Sequence, residues 1–170
     1  MPVGSAVFSS GRFRESSGPE EEQQLFNKLT RASHFIRDFR FRLRHGELSR
    51  APLKMIRFQV EGGSIQCDWM ARAPDPWDMH LPATQQLKHS SLQALKDALN
   101  VRALLFDAFP DAESAEVRIF REYDDYRREI VITGLLHRND NSARNVQSLV
   151  MRAKILGFRF RMEGDVLRKF

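Results

Sequence analysis

The chain has very little cysteine and no long apolar run, and both shortages restrict what it can be. A single cysteine, Cys67, among 170 residues excludes an internal disulfide and a metal cluster built on cysteine, as is typical of a reducing compartment. No apolar run approaches the roughly 18 to 20 residues that a membrane span needs. Residues 1–18 lack the basic start and apolar middle of a signal peptide. We therefore expect a cytoplasmic location.

Catalytic and metal-binding motifs are also scarce. The five histidines never fall at the H-x-x-x-H or H-E-x-x-H spacing of a metal site, and the segment His137 to Asn141 lacks the glycines of a phosphate-binding turn. Cys67 alternates with Ile65 and Trp69, which predicts a small buried hydrophobe rather than a nucleophile. We expect no bound metal and no cofactor, and the pattern favours a non-catalytic protein.

Charge of neither sign dominates this basic protein. Lys and Arg number 27 against 22 Asp and Glu, a net charge of +5 that we interpret as a modest excess spread over the chain. Such a charge permits an acidic partner without requiring one. Most of the positive charge is arginine, which suits carboxylate or phosphate but also lies along apolar surfaces in ordinary domains.

What the chain does have is enough apolar residues for one core and an N-terminal region in which apolar residues recur at helical spacing. Residues 1–18 are rich in Gly and Ser and predict a flexible arm. The region 19–44 then predicts a long amphipathic helix, with Pro19 in its first turn, acidic residues at its start and arginines at its end. Its apolar positions recur every three or four residues: Leu25, Leu29, Ala32, Phe35, Ile36, Phe39 and Leu43.

Residues 51–170 predict an α+β domain. A hairpin is indicated by alternating runs at 53–60 and 64–72 around Gly62 and Gly63. A loop at 73–89 follows, in which Trp77 can plug the edge of the core. The remaining elements are a helix at 90–109 that begins on a Ser90 and Gln93 capping box, strands at 115–122 and 127–136, a helix capped by Asn141 or Ser142, and a strand at 158–162. Without its first strand, this order is β-α-β-β-α-β. It predicts a ferredoxin-like sandwich extended by an N-terminal strand and preceded by the long helix.

Two sets of side chains are candidates for binding. The first set consists of ionisable residues in and beside the 73–89 loop and at the strand end near residue 137. These residues could bind a small ligand or an anion, and capping and turn roles also fit them. The set is Asp68, Asp75, Asp78, His80, His137 and Arg138. Arginines on predicted strands could hold nucleic acid, or could pair with glutamates across the sheet: Arg118, Arg121, Arg159 and Arg161. The strand 115–122 lacks the aromatic and glycine signature of an RNA-recognition motif.

Three functions therefore stay open. The first is a self-associating, non-catalytic interaction module, with a homodimer formed through the Phe35, Ile36 and Phe39 region of the long helix. The second is an enzyme or small-ligand binder with its site at the 73–89 loop. The third is a nucleic-acid-binding surface on the sheet.

Overall fold

The computed structural model describes residues 18–124, 126–139 and 141–170, so the arm expected at 1–18 lies outside the described residues except for Gly18. The helices are α1 (Pro19–Arg42), α2 (Ala83–Ala108) and α3 (Leu149–Ile155), with a short 3-10 helix at Pro76–His80. The strands are β1 (Lys54–Glu61), β2 (Ser64–Met70), β3 (Ser114–Asp124), β4 (Arg127–His137), β5 (Phe158–Arg159), β6 (Arg161–Glu163) and β7 (Val166–Arg168).

Five strands form one mixed sheet in the order β1-β2-β3-β4-β5. The pairs β1–β2, β3–β4 and β4–β5 are antiparallel, whereas β2 and β3 are parallel because α2 carries the chain back between them. The β1–β2 hairpin turns at Gly62, where a φ of +58° is one that glycine adopts without a steric penalty. β6 and β7 form a separate two-stranded antiparallel sheet.

The mixed α+β class is confirmed, but a ferredoxin-like arrangement is not. In the split β-α-β unit of that fold, another strand lies between the two strands that flank each helix. Here β2 and β3 flank α2 and are direct neighbours, with Cys67 opposite Val117 and Trp69 opposite Ile119. The same order of elements is compatible with adjacent or split strands, so the pattern along the chain does not decide between them.

The core lies between one face of the sheet and the helices. Alternation along β2 and β3 brings Ile65, Cys67, Trp69, Val117 and Ile119 to this face, where they are fully buried with the apolar residues of α2. The opposite face presents mainly polar side chains, and no helix of the described residues covers it. We call this second surface the open sheet face; it includes Arg57, Gln66, Asp68, Glu116, Arg118 and Thr133.

Only the second half of α1 enters this core. The Phe35 ring stacks on Phe58 of β1 with centroids 4.7 Å apart, and the Phe39 ring meets Trp69 edge-on at 6.4 Å. Phe35 and Phe39 are buried, and Ile36 is half-buried. The helix therefore packs on the core face of the sheet beside α2, not on the open sheet face.

The start of α2 differs from the sequence-based prediction. α2 begins at Ala83 rather than at Ser90, because residues 83–87, which follow Pro82 directly, are mostly helix-favouring (Ala83, Gln85, Gln86 and Leu87). The Ser90 and Gln93 pattern thus lies inside the helix. The predicted 73–89 loop is correspondingly reduced to a short connection, the 3-10 helix and the first turns of α2.

The C-terminal elements are also shorter than predicted. α3 begins at Leu149, where the Ser148 side chain accepts a hydrogen bond from the Met151 N–H at 3.4 Å, instead of being capped by Asn141 or Ser142. The predicted strand 158–162 is interrupted at Phe160, and its two parts join different sheets. The polar residues before Ser148 form turns rather than a continuous helix. Ser148 is therefore the residue that caps α3.

Candidate functional site

The acidic and histidine side chains predicted to share a ligand site lie apart from one another. Asp68 is on the open sheet face, where Arg118 donates from Nε to Oδ1 at 3.1 Å and from Nη2 to Oδ2 at 2.6 Å. Asp78 contacts Nδ1 of His89 at 3.2 Å, beside the first turns of α2, and His80 is exposed. The structure thus gives each of these residues its own local surroundings.

Asp75 is the N-terminal cap of the 3-10 helix. Its Oδ1 accepts a hydrogen bond from the Trp77 N–H at 3.1 Å, and its Oδ2 accepts one from the Arg50 N–H at 3.1 Å. The carboxylate therefore links the α1–β1 connection to the segment that follows β2. Trp77 itself is 76% exposed, so the prediction that it plugs the edge of the core is wrong.

His137 and Arg138 lie at the end of β4, next to the C-terminus of α2. The Arg138 guanidinium donates to the carbonyl oxygens of Phe106, Phe109 and Ala112, which α2 and its following turn leave without helical partners. His137 is exposed, and its carbonyl oxygen accepts from Arg102 Nη2 at 2.7 Å. Arg138 therefore has a capping role, the alternative that the sequence left open.

The four strand arginines differ in their ion pairing and in their exposure. Asp68 raises the pKa of Arg118 through its hydrogen bonds and its charge. Arg121 donates to Glu129 from Nε at 3.0 Å and to the Leu167 carbonyl oxygen from Nη1 at 3.0 Å. Arg159 and Arg161 are exposed, Arg161 lies 3.9 Å from a Glu163 carboxylate oxygen, and the two arginines do not lie on one continuous sheet. The sheet therefore does not present these arginines as one positive surface.

A buried polar cluster that the sequence analysis missed joins α1, β2 and α2. Arg72 and Asp97 form an ion pair with side chains only 1% and 2% exposed, the Nε and Oδ2 atoms being 2.8 Å apart. Burial raises the pKa of Asp97, while hydrogen bonds and charge from Arg72, with a further hydrogen bond from Gln93, act in the opposite direction. A signal was present in the sequence, since Gln93 and Asp97 are polar and four residues apart on an otherwise apolar helix face.

The remaining donors of Arg72 reach three backbone carbonyl groups. Its Nη1 donates to the Arg44 and Ala51 carbonyl oxygens at 3.1 and 2.6 Å, and its Nη2 donates to that of Leu43. Gln93 in turn accepts a hydrogen bond from the Leu48 N–H at 2.6 Å. We call this cluster the Arg72 network. It fixes the end of α1 and the connection 43–53 against the body of the domain.

A groove of about 1140 Å³ opens beside the carboxyl ends of β2 and β3. Its apolar lining includes Met70, Pro74 and Leu87, and its rim carries Tyr123 and Lys54. In sheets with parallel strands, ligands commonly bind outside the carboxyl ends of those strands. The groove lies next to residues 71–74, at the start of the predicted ligand-binding loop, but Asp68, Asp78 and His80 do not line it.

Cys67 cannot serve as a nucleophile in this position. The side chain is fully buried, as the alternation of β2 predicted. Burial, with a smaller effect from the neighbouring Asp68 carboxylate, raises the pKa of the Cys67 thiol far above its ordinary value. The thiol therefore stays protonated and acts as a small apolar side chain.

The first half of α1 extends away from the domain. Every residue from 18 to 29 is exposed. Leu25, Phe26 and Leu29 retain 59%, 64% and 59% of their accessible surface. By contrast, Arg31 contacts Asp111 at 2.5 Å, near the point where the helix reaches the domain. About 16 Å of helix, at 1.5 Å per residue, thus stands clear with three large apolar side chains in solvent.

Among the described residues, no cluster of three or more His, Cys, Asp or Glu side chains is suited to a metal ion. Within the same residues, no helix combines the length and the apolar character needed to cross a membrane. No protein family model, no curated protein and no solved structure matches the chain.

Proposed function

We propose that this chain is a non-catalytic interaction module that self-associates as a homodimer through the first half of α1. The observation that carries the proposal is the exposure of Leu25, Phe26 and Leu29 on a helical segment that no other described residue covers. A helix of about three turns is marginal in water by itself, because tertiary packing of an apolar face normally supplies most of its stability. A partner that covers these three side chains would provide that packing.

The contact is proposed to lie further toward the N-terminus than the periodicity suggested. Phe35 and Phe39 are buried in the chain's own core, so neither is available to a second chain. Ile36 is half-buried beside them. The apolar surface left for a partner is therefore the stripe formed by Leu25, Phe26 and Leu29, which we call the α1 stripe.

Charge complementarity favours a second copy of the same helix as the partner. α1 begins with Glu20, Glu21 and Glu22 and carries Lys28 and Arg31 farther along. In an antiparallel pair centred on the α1 stripe, the acidic end of each helix approaches the basic middle of the other. Leu25 of one copy then lies near Leu29 of its partner. A parallel pair would instead place the two acidic ends together.

The oligomeric state of the full chain tests this proposal. We expect a dimer in sedimentation equilibrium at tens of micromolar, and a monomer after Leu25→Glu with Leu29→Glu, because the charges would be buried against apolar groups. Both positions are exposed, so the variant should remain folded. The matched control is Met79→Glu with Met151→Glu, at two methionines that are similarly exposed outside α1. A monomeric wild-type chain, or a control that dissociates equally, would contradict the proposal.

A second candidate function is small-ligand binding in the groove. The combination of apolar lining, Tyr123 and the Lys54 ammonium suits a planar organic anion. We expect the anionic dye 8-anilinonaphthalene-1-sulfonate to bind a chain that already carries Leu25→Glu and Leu29→Glu, and fluorescence titration to show weaker binding after Tyr123→Ala with Lys54→Gln. Equal affinity with and without the groove substitutions would refute the site.

A further inference from the structure

The excess positive charge of the chain lies in one segment, contrary to the expectation that it is spread evenly. Residues 28–50 contain seven Lys or Arg against two Asp or Glu, a net of +5. The rest of the chain contains 20 residues of each sign. The second half of α1 and the turn after it therefore carry the whole net charge of +5.

Three of the seven basic side chains of this segment share one exposed surface. Arg37, Arg40 and Phe41 follow at helical intervals of three and four residues, on the side of α1 away from the buried Phe35. Arg44 continues the row in the turn after the helix, and Phe41 is 69% exposed among these arginines. We call Arg37, Arg40, Phe41 and Arg44 the arginine face.

The arginine face has little structural use within the described part of the chain. There, Arg37 forms an ion pair only with Asp38, at 3.4 Å, and the side chains of Arg40 and Arg44 form no ion pair. Arginines at a helix C-terminus often satisfy the last carbonyl groups. Here that function belongs to Arg72, which donates to the carbonyl oxygens of Leu43 and Arg44 from the buried side. The surface arginines are left for another partner.

We propose that the arginine face binds single-stranded nucleic acid. Guanidinium groups bind phosphate oxygens in a bidentate manner, and the three arginines span about 10 Å at 1.5 Å per residue, within reach of successive phosphates. Phe41 lies between the arginines. Single-strand-binding proteins similarly combine basic groups with aromatic side chains on which unpaired bases stack. This surface replaces the sheet as the nucleic-acid site, because Arg118 and Arg121 are held by carboxylates.

An anionic membrane is less suited to this helix. A helix that lies on a membrane needs a continuous apolar face bordered by cations. In α1 the other exposed apolar residues, Leu25, Phe26 and Leu29, are two or more turns from the arginine face. They are also preceded by three glutamates, which an anionic lipid surface repels. The proposal does not depend on the dimer, since it uses the other half of the helix.

Fluorescence anisotropy with a fluorescein-labelled 15-nucleotide oligouridylate tests the proposal. We expect binding at 50 mM salt that weakens as salt rises. Arg37→Gln with Arg40→Gln and Arg44→Gln should lower affinity at least tenfold. The same substitutions should make the slope of log K against log salt shallower by about 2, since each phosphate contact on a single strand contributes about 0.7. Phe41→Ala should lower affinity about fivefold or more through lost stacking.

The matched control removes three positive charges elsewhere: Arg57→Gln with Arg159→Gln and Arg161→Gln, all exposed. This variant should bind within about threefold of the wild-type chain. An equal loss in the control would overturn the proposal in favour of a general charge effect, and no binding at 50 mM salt would overturn it outright.

Two other ligands test the alternative partners. Polyglutamate that competes as well as unlabelled oligouridylate would indicate an acidic protein partner instead. Tighter binding to vesicles containing 30% phosphatidylserine would indicate a membrane surface, and either result would also overturn it.

Discussion

Arg72 connects more parts of the fold than any other polar side chain described above. Its guanidinium contacts the Asp97 carboxylate and three carbonyl oxygens, from Leu43, Arg44 and Ala51. A buried charge is costly unless it is paired and its donors are satisfied, and here both conditions hold. The residue is therefore tied to the placement of α1 as well as to the local ion pair.

Replacing Arg72 by methionine should destabilise the domain strongly. The substitution keeps much of the side-chain volume but leaves Asp97 buried without its cation and three carbonyl oxygens without a donor, at a cost of about 3–5 kcal/mol. For a chain of this size, thermal denaturation should show a midpoint lowered by roughly 10 °C. Arg118→Met is the comparison, because its ion pair is partly exposed and should matter much less. Similar midpoints for the two variants would contradict a central role for Arg72.

α1 shows how one amphipathic pattern can serve two environments. The repeat of apolar residues is continuous from Leu25 to Leu43, yet only the part from Ala32 onward meets the core. Periodicity predicted the helix and its N-terminal boundary, and the helix ends at Arg42 instead of residue 44. Periodicity could not show how much of the helix packs against the domain, because that depends on the size of the folded core.

Two phenylalanines on α1 provide a direct check of how the helix is oriented. Phe39 is buried against Trp69, so Phe39→Ala should cost about 3–5 kcal/mol through lost transfer free energy and a cavity. Phe41, two residues later, points into solvent, and Phe41→Ala should change stability by less than about 0.5 kcal/mol. Urea denaturation of both variants measures the difference. Equal free energies of unfolding would mean that the helix is rotated from the orientation described here.

For individual helices, capping patterns predicted the first residue less reliably than apolar periodicity predicted the helix itself. Ser90 and Gln93 fit a capping box, but in the folded chain Gln93 is buried in the Arg72 network and donates to Asp97 at 2.9 Å. Ser91 is also used within the fold, where its hydroxyl accepts from the Leu167 N–H at 2.9 Å. Short polar motifs are satisfied by whichever partner tertiary structure brings near, so the same residues can start a helix or join distant elements.

At the scale of the whole molecule, the class of fold was predictable and the site was not. Alternation along β2 placed Cys67 and Trp69 in the core correctly, and the element order predicted an α+β domain. The pairing of β2 directly with β3 depends on the path of the chain over the sheet, which periodicity does not encode. Asp68, Asp78 and His80 are near in sequence, but a strand end and a 3-10 helix direct them to different surroundings.

The sequential strand order has a consequence for how the chain assembles during synthesis. Each strand of the main sheet pairs with the strand made just before it, so pairing can follow translation; the longer connections to close are the α2 crossover and residues 138–157, which contain α3. α1 is different, because Phe35 packs on Phe109 with ring centroids 6.0 Å apart, and Phe109 is made 74 residues later. The part of the α1 apolar face that packs on Phe109 is therefore covered only after α2 is complete, although Phe58 and Trp69 are available to Phe35 and Phe39 earlier.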